Sequence, residues 1–168
     1  CDVGFMAAGV YDQRPIEARD DVLVYSTPPL EHDVEVTGPI SVTLFASSSA
    51  FDTDFTAKLV DVEPNGYARN LTDGIIRGRY RFNRQPASLL QPGSVYEFTI
   101  DLWATSNLFK QGHCIRLDIS SSNYPRFDRN TNTGEAIGSD AEHVSALQHV
   151  FHTGEYPSHV KLPLIPRD

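Results

Sequence analysis

ISVTLFA, residues Ile40 to Ala46, places Ile40, Val42, Leu44 and Ala46 on one side of the chain and Ser41, Thr43 and Phe45 on the other. An extended backbone turns successive side chains to opposite faces, whereas a helix gathers apolar residues three and four apart. Strict alternation therefore reads as a half-buried strand. The same period recurs in VYEFTIDLW from Val95, with Tyr96, Phe98, Ile100 and Leu102 on one face, and in CIRLDIS from Cys114, with Ile115, Leu117 and Ile119. Further strands are expected in VLVYS from Val22, HDVEVT from His32, DFTAKLVDVE from Asp54, DGIIRGRYRF from Asp73, ALQHVFH from Ala146 and SHVKLPLI from Ser158. No segment of helical period competes with them.

Turn chemistry separates these runs. Pro64-Asn65-Gly66 suits a tight hairpin, and Gly38-Pro39 and Gln91-Pro92-Gly93 stand where a preceding segment should end. Pro163 cannot donate to a ladder, which puts the last strand at an edge or a bulge. Eight or nine short strands so punctuated predict an all-β fold, a β-sandwich of two packed antiparallel sheets in jelly-roll form. Residues 1–20 read as a joining segment and 21–168 as a single sandwich domain. Cys1 in place of Met is expected to mark a chain cut from something longer.

A formal net charge of −8 opposes broad attraction to nucleic acid or anionic membrane, and no apolar run is long enough to span a bilayer. No charged-then-apolar leader opens the chain, so a cytoplasmic setting is slightly favoured. Two cysteines are too few for a disulfide framework or a four-thiolate zinc site.

Chemistry-bearing clusters are sparse. The serine elbow G-x-S-x-G is missing, and Gly138-Ser139-Asp140 with His143 crowds three triad residue types into one loop, where known triads draw on separate elements. No catalytic residue is expected. His143, His149, His152 and His159 raise the question of zinc, but His149 and His152 would face opposite ways on a strand. Asp52, Asp54, Asp61, Glu63 and Asp128 suit a hard cation as well as they suit ion pairing. The expectation is of no metal and no cofactor. Asn70-Leu71-Thr72 matches a glycosylation sequon, a short pattern that chance often supplies.

Two features invite a docking role. Arg77, Arg79 and Arg81 alternate along RGRYR, with Arg84 close behind, and should share one strand face. Such like charges need an answer, either from Glu97, Asp101 or Asp118 on neighbouring strands or from carboxylates of a partner domain. The second is SSSNYPRFDRNTNTG, Ser120 to Gly134, a polar loop in which Tyr124 and Phe127 are expected as aromatic anchors and Arg126 and Arg129 as bidentate partners. The competing reading folds Tyr124 and Phe127 back to close the sandwich end and pairs the arginines within the domain.

DQRPIEARDDVLVYSTPPLEHDVEVTGPI, FDTDFTAKLVDVEPNG, LTDGIIRGRYR, LQPGSVYEFTIDLWATSNLFKQGHCIRLDISSSNYPRFDRNTNTG and YPSHVKLPLIP resemble successive blocks of one domain, from Asp12 to Pro166. That domain is the C-terminal, non-catalytic one of the X-Pro dipeptidyl-peptidase and cocaine esterase family of serine hydrolases. The resemblance implies a galactose-binding-like jelly roll that packs against an α/β-hydrolase catalytic domain of the same parent protein and helps wall its active site. It also implies that the catalytic Ser, Asp and His lie outside this chain, in an acyl esterase or X-Pro dipeptidyl-peptidase. Cys114 departs from the basic or polar residue more usual there. A free-standing carbohydrate-binding or protein-interaction module, including a homo-oligomer through an exposed sheet face, is the alternative.

Overall fold

The computed structural model describes residues 9–82, 86–136, 138 and 142–166. A four-residue helix α1 (Arg14–Glu17) precedes β1 (Leu23–Ser26), β2 (Val34–Ser48), β3 (Asp54–Val62), β4 (Ala68–Arg77), β5 (Tyr96–Phe109), β6 (Cys114–Ser120), β7 (Gln148–Val150), β8 (His159–Lys161) and β9 (Leu164–Ile165). One sheet runs β1-β6-β3-β4 and the other β5-β2-β7, with β8 and β9 also pairing along β2. All the pairings are antiparallel.

The alternating faces meet where the sequence places them. Ile40, Val42, Leu44 and Ala46 of β2 and Phe98, Ile100 and Leu102 of β5 pack on Phe55, Ala57 and Leu59 of β3 and Ile119 of β6. Phe55 and Phe98 join the sheets with ring centroids 4.8 Å apart. This is an all-β sandwich, and burying one apolar face of each sheet is its main source of stability.

β3 is buried along nearly its whole length because its other face is covered too. Asp12 bridges Arg69, the Gln13 amide donates to the Ala68 carbonyl, and Glu17 pairs with Arg116 at 2.6 Å. Residues 12–17 thus lie across the outer face of the first sheet. Cys114 falls on that face, half-buried against Val60, Val62 and Ala68.

Three expectations need correction. Gly38-Pro39 does not end a segment, since β2 passes through it as one strand of 15 residues. Pro39 has no N–H to give, and the ladder shifts there: Pro39 pairs with Ala104 and Ser41 with Asp101, leaving Leu102 and Trp103 opposite Ile40 alone. The last strand is two short pieces, β8 and β9, separated by Pro163, whose carbonyl accepts from the Thr37 amide. RGRYR is not strand: β4 stops at Arg77 and Gly78–Tyr80 form a single 3-10 turn. The Pro64-Asn65-Gly66 hairpin does join β3 to β4, with Gly66 at φ 85°.

The bulge at Trp103 holds a bulky residue at φ 63°, with the indole 68% exposed and the amide donating to Asp101 Oδ1. A left-handed conformation costs an L-residue about 1 kcal/mol or more, while glycine adopts it freely. Trp103→Gly is therefore expected to leave the unfolding free energy measured in urea unchanged or to raise it, by up to about 1 kcal/mol, despite glycine's larger unfolded-state entropy. A clear loss would mean that the indole packs more than its exposure indicates.

Candidate functional site

The loop after β6 is fastened to the body of the sandwich along its length. Asn123 Nδ2 donates to Asp73 Oδ2 at 2.8 Å, and Arg126 Nη1 lies 2.8 Å from Asp73 Oδ1. Asn130 Nδ2 donates to both Asp52 Oδ2 and Asp54 Oδ1, and Arg79 Nη2 donates to the Glu135 carbonyl. Between these anchors Tyr124 is 54% exposed, with the Arg129 guanidinium 4.4 Å from its ring centre. Phe127 is half-buried and Arg126 stands 5.5 Å from its ring.

The arginines of RGRYR are answered inside the domain, and not by Glu97, Asp101 or Asp118. Because the chain turns at Gly78, each guanidinium points to a different place. Arg77 pairs through Nε and Nη2 with Asp54, Arg79 pairs with Asp52 at 2.7 Å, and Arg81 donates to the carbonyls of Gly78 and Ser88. Arg81 also lies 4.2 Å from the Tyr96 ring centre. Arg84 lies outside the described residues. Burial pushes the Asp54 carboxyl upward, and Arg77 and Asn130 oppose that shift. The two buried aspartates, two arginines and Asn130 form one connected network, which positions the loop.

The metal readings disperse in the same way. Asp52 and Asp54 face guanidinium groups, Asp61 Oδ1 lies 2.8 Å from His113 Nδ1, and Glu63 pairs with Arg69. Among the described residues no three potential ligands converge. His152 meets the Tyr25 hydroxyl and His159 the Pro157 carbonyl, whereas His149 is exposed on β7. Ser139 and Asp140, two of the three residues of the discounted triad, lie outside the described residues.

The sequence gives no sign of a third feature. Phe51, Leu89, Val144 and Leu147 are 45–65% exposed at one end of the sandwich. Hydrogen bonds between neighbouring backbones tie them into one rim: Leu90 to Phe51, Ser49 to Leu147, Val144 to Thr131. Gly134 packs under Phe51 and Leu89, so a Cβ there would lie 3.1 Å from Phe51 Cβ. Each lies outside the named strands, and only the fold brings them together.

Comparison with known proteins decides what this sandwich is. Residues 2–161 match the X-Pro dipeptidyl-peptidase C-terminal non-catalytic domain. The chain belongs to that family. Over 161 residues it is 53% identical to cocaine esterase of Rhodococcus sp. (strain MB1 Bresler), covering 95% of this chain and 28% of that enzyme. An aminopeptidase from a marine sediment Thaumarchaeota archaeon superposes with a TM-score of 0.89 at 36% identity, over 94% of this chain and 28% of that one. An α-amino acid ester hydrolase gives 0.88 at 32% identity, over 93% of this chain and 27% of its own. The chain thus spans little more than a quarter of the length of these relatives.

The domain it matches is the non-catalytic one of that family, and the free-standing alternative is not favoured. Such a domain offers surfaces. Besides the rim, an apolar cavity of about 310 Å³ opens between the sheets beside β1 and β8, walled by Leu44, Leu59, Leu117, Val160 and Leu162. All four residues of β1 are exposed, including Leu23, Val24 and Tyr25.

Proposed function

We propose that this domain packs against an α/β-hydrolase-type catalytic domain of the same polypeptide, a serine acyl esterase or X-Pro dipeptidyl-peptidase, and helps to wall its active site. In this reading residues 1–20 join the two domains and 21–168 form the sandwich. The observation that carries the proposal is the rim: exposed Phe51, Leu89, Val144 and Leu147 sit on loops that a buried ion-pair network holds in place. Apolar side chains presented on a rigid frame lose little entropy when they are covered, which is what a permanent docking face requires. Tyr124, Arg126, Phe127 and Arg129 extend this face along the fastened loop. Arg77, Arg79 and Arg81 support it from within.

The test is association with a family catalytic domain supplied in trans, followed by sedimentation velocity. Phe51→Glu with Leu147→Glu should weaken binding at least about tenfold, and Arg126→Ala with Phe127→Ala should weaken it less. Circular dichroism melts of the isolated variants should stay close to the parent, since these side chains are largely exposed. Undiminished association of the Phe51→Glu, Leu147→Glu protein would place the docking face elsewhere. Alone, the domain is expected to leave activated acyl esters and Xaa-Pro anilides intact, because it carries no serine elbow.

A further inference from the structure

We propose that the cavity over the outer face of the first sheet binds an organic ammonium group, with the Asp118 carboxylate as its principal acceptor and Glu17 Oε1 as a second. Tyr124 and Arg129 of the docking face also line the cavity, but Asp118 and Glu17 lie outside that face. It is a hollow of about 420 Å³ bounded by α1, β3, β6 and the Ser120–Asn132 stretch, with Asp118 in its wall.

The strand register builds it. Val24 of β1, Asp118 of β6, Lys58 of β3 and Asp73 of β4 stand side by side in one row across the sheet. Three of the four are charged, and the row is roofed by residues 12–17 instead of facing water. Most of these side chains already hold a hydrogen bond or an ion pair. Lys58 Nζ donates to Gln13 Oε1 at 2.6 Å, Asp73 meets Arg126 and Asn123, and Glu17 Oε2 meets Arg116. Asp118 holds neither. It is 6% exposed, and neither of its oxygens has a hydrogen-bond partner, nor does Glu17 Oε1.

Buried polar atoms are nearly always satisfied, and a carboxylate is the most costly one to leave bare. The unfilled positions here are all acceptors, so the missing group must donate. A hard divalent cation is a poor match, since it takes six or more oxygens and no three metal-ligating side chains converge among the described residues. A primary ammonium carries three N–H donors and one positive charge, which matches the orphaned oxygens in number and in sign.

The charged groups facing Asp118 are Glu17 from α1, Lys58 from β3 and Arg116 from its own strand. Burial first, then the Glu17 charge, pushes the Asp118 carboxyl up to about 7, against Lys58 and Arg116. A proton is thus the competing occupant. An ammonium that binds the carboxylate must displace it and lower that value, whereas an ion without N–H donors must not.

The experiment follows the Asp118 side-chain carbon by NMR across pH 5 to 9, with equimolar methylammonium or tetramethylammonium chloride added to the 168-residue chain. Methylammonium is expected to lower the midpoint by about one unit, a tenfold change in proton affinity, and tetramethylammonium to leave it unchanged. Chemical-shift changes around Lys58 and Ser120 on adding methylammonium should vanish in Asp118→Asn. If that variant fails to fold, Glu17→Gln should still weaken the methylammonium response several-fold with circular dichroism intact. Equal effects of the two ions, no effect of either, or a response that survives both substitutions would overturn the site.

Discussion

Gly74→Ala is expected to destabilise the domain by roughly 3 kcal/mol or more, a large fraction of the stability a single domain holds. A Cβ built on Gly74 would lie 2.0 Å from the carbonyl oxygen of Asp101 and 3.1 Å from Leu102 Cδ2. The obstruction is backbone, which no rotamer change can move aside. Here β4 of one sheet crosses β5 of the other so closely that the Thr72 hydroxyl also donates to the Leu102 carbonyl. The bulge at Leu102 and Trp103 lies at the same crossing, so relief of the clash would have to spread into the β2–β5 ladder. Gly93→Ala is the control: nothing lies within 4 Å of its Cβ position, and its φ of 80° leaves only a conformational cost of about 1 kcal/mol. Urea unfolding of both variants checks the pair. Similar losses would mean that the sheets part easily at this corner.

Arg79→Ala is expected to cost about 3–5 kcal/mol, the usual consequence of stranding one partner of a buried ion pair. Asp52 is 1% exposed at its side chain and accepts from the Arg79 amide, from Arg79 Nε and from Asn130 Nδ2. Without the guanidinium the carboxylate stays buried with its charge unanswered, and the Glu135 carbonyl loses its donor. Asp52→Asn in the Arg79→Ala background should therefore recover part of the loss, although it adds a substitution. Arg19→Ala offers a contrast, because Arg19 and Asp21 are each about 60% exposed and such pairs contribute under about 1 kcal/mol. Chemical denaturation of the four proteins separates these cases. Further loss on adding Asp52→Asn would show that the hydrogen bonds, and not the charge, hold the loop.

The legibility of the chain follows the range of the interactions. Period two in ISVTLFA and VYEFTIDLW is a local signal, and the faces it names are those that pack between the sheets. RGRYR was misread because its alternation mimics a strand, while Gly78 and the side chains of Asp52 and Asp54 draw the backbone into a turn. Those aspartates precede the arginines by about twenty-five residues, beyond the reach of any pattern. The anchoring role of Asn130 was hidden for the same reason, and so was the rim. Phe51, Leu89 and Leu147 carry no periodicity at all, since each is set by where a loop ends and not by a face. The charged row of Asp118, Lys58 and Asp73 was half visible: each sits on the polar phase of its strand, but register and the roof of residues 12–17 are long-range facts.

β2 serves as the common partner of β5, β7, β8 and β9. During synthesis it emerges well ahead of the strands that cover its second edge, which are drawn from Gln148–Ile165. Until those residues are available, ISVTLFA is an uncharged, β-branched stretch with one unpaired edge, the kind of segment that seeds intermolecular pairing. High sequence separation between partners also slows closure of the sheet. Yield of folded protein should then depend less on the final stability of the sandwich than on how long that edge stays bare, and slower growth at low temperature or a holdase that shields it should act through that interval.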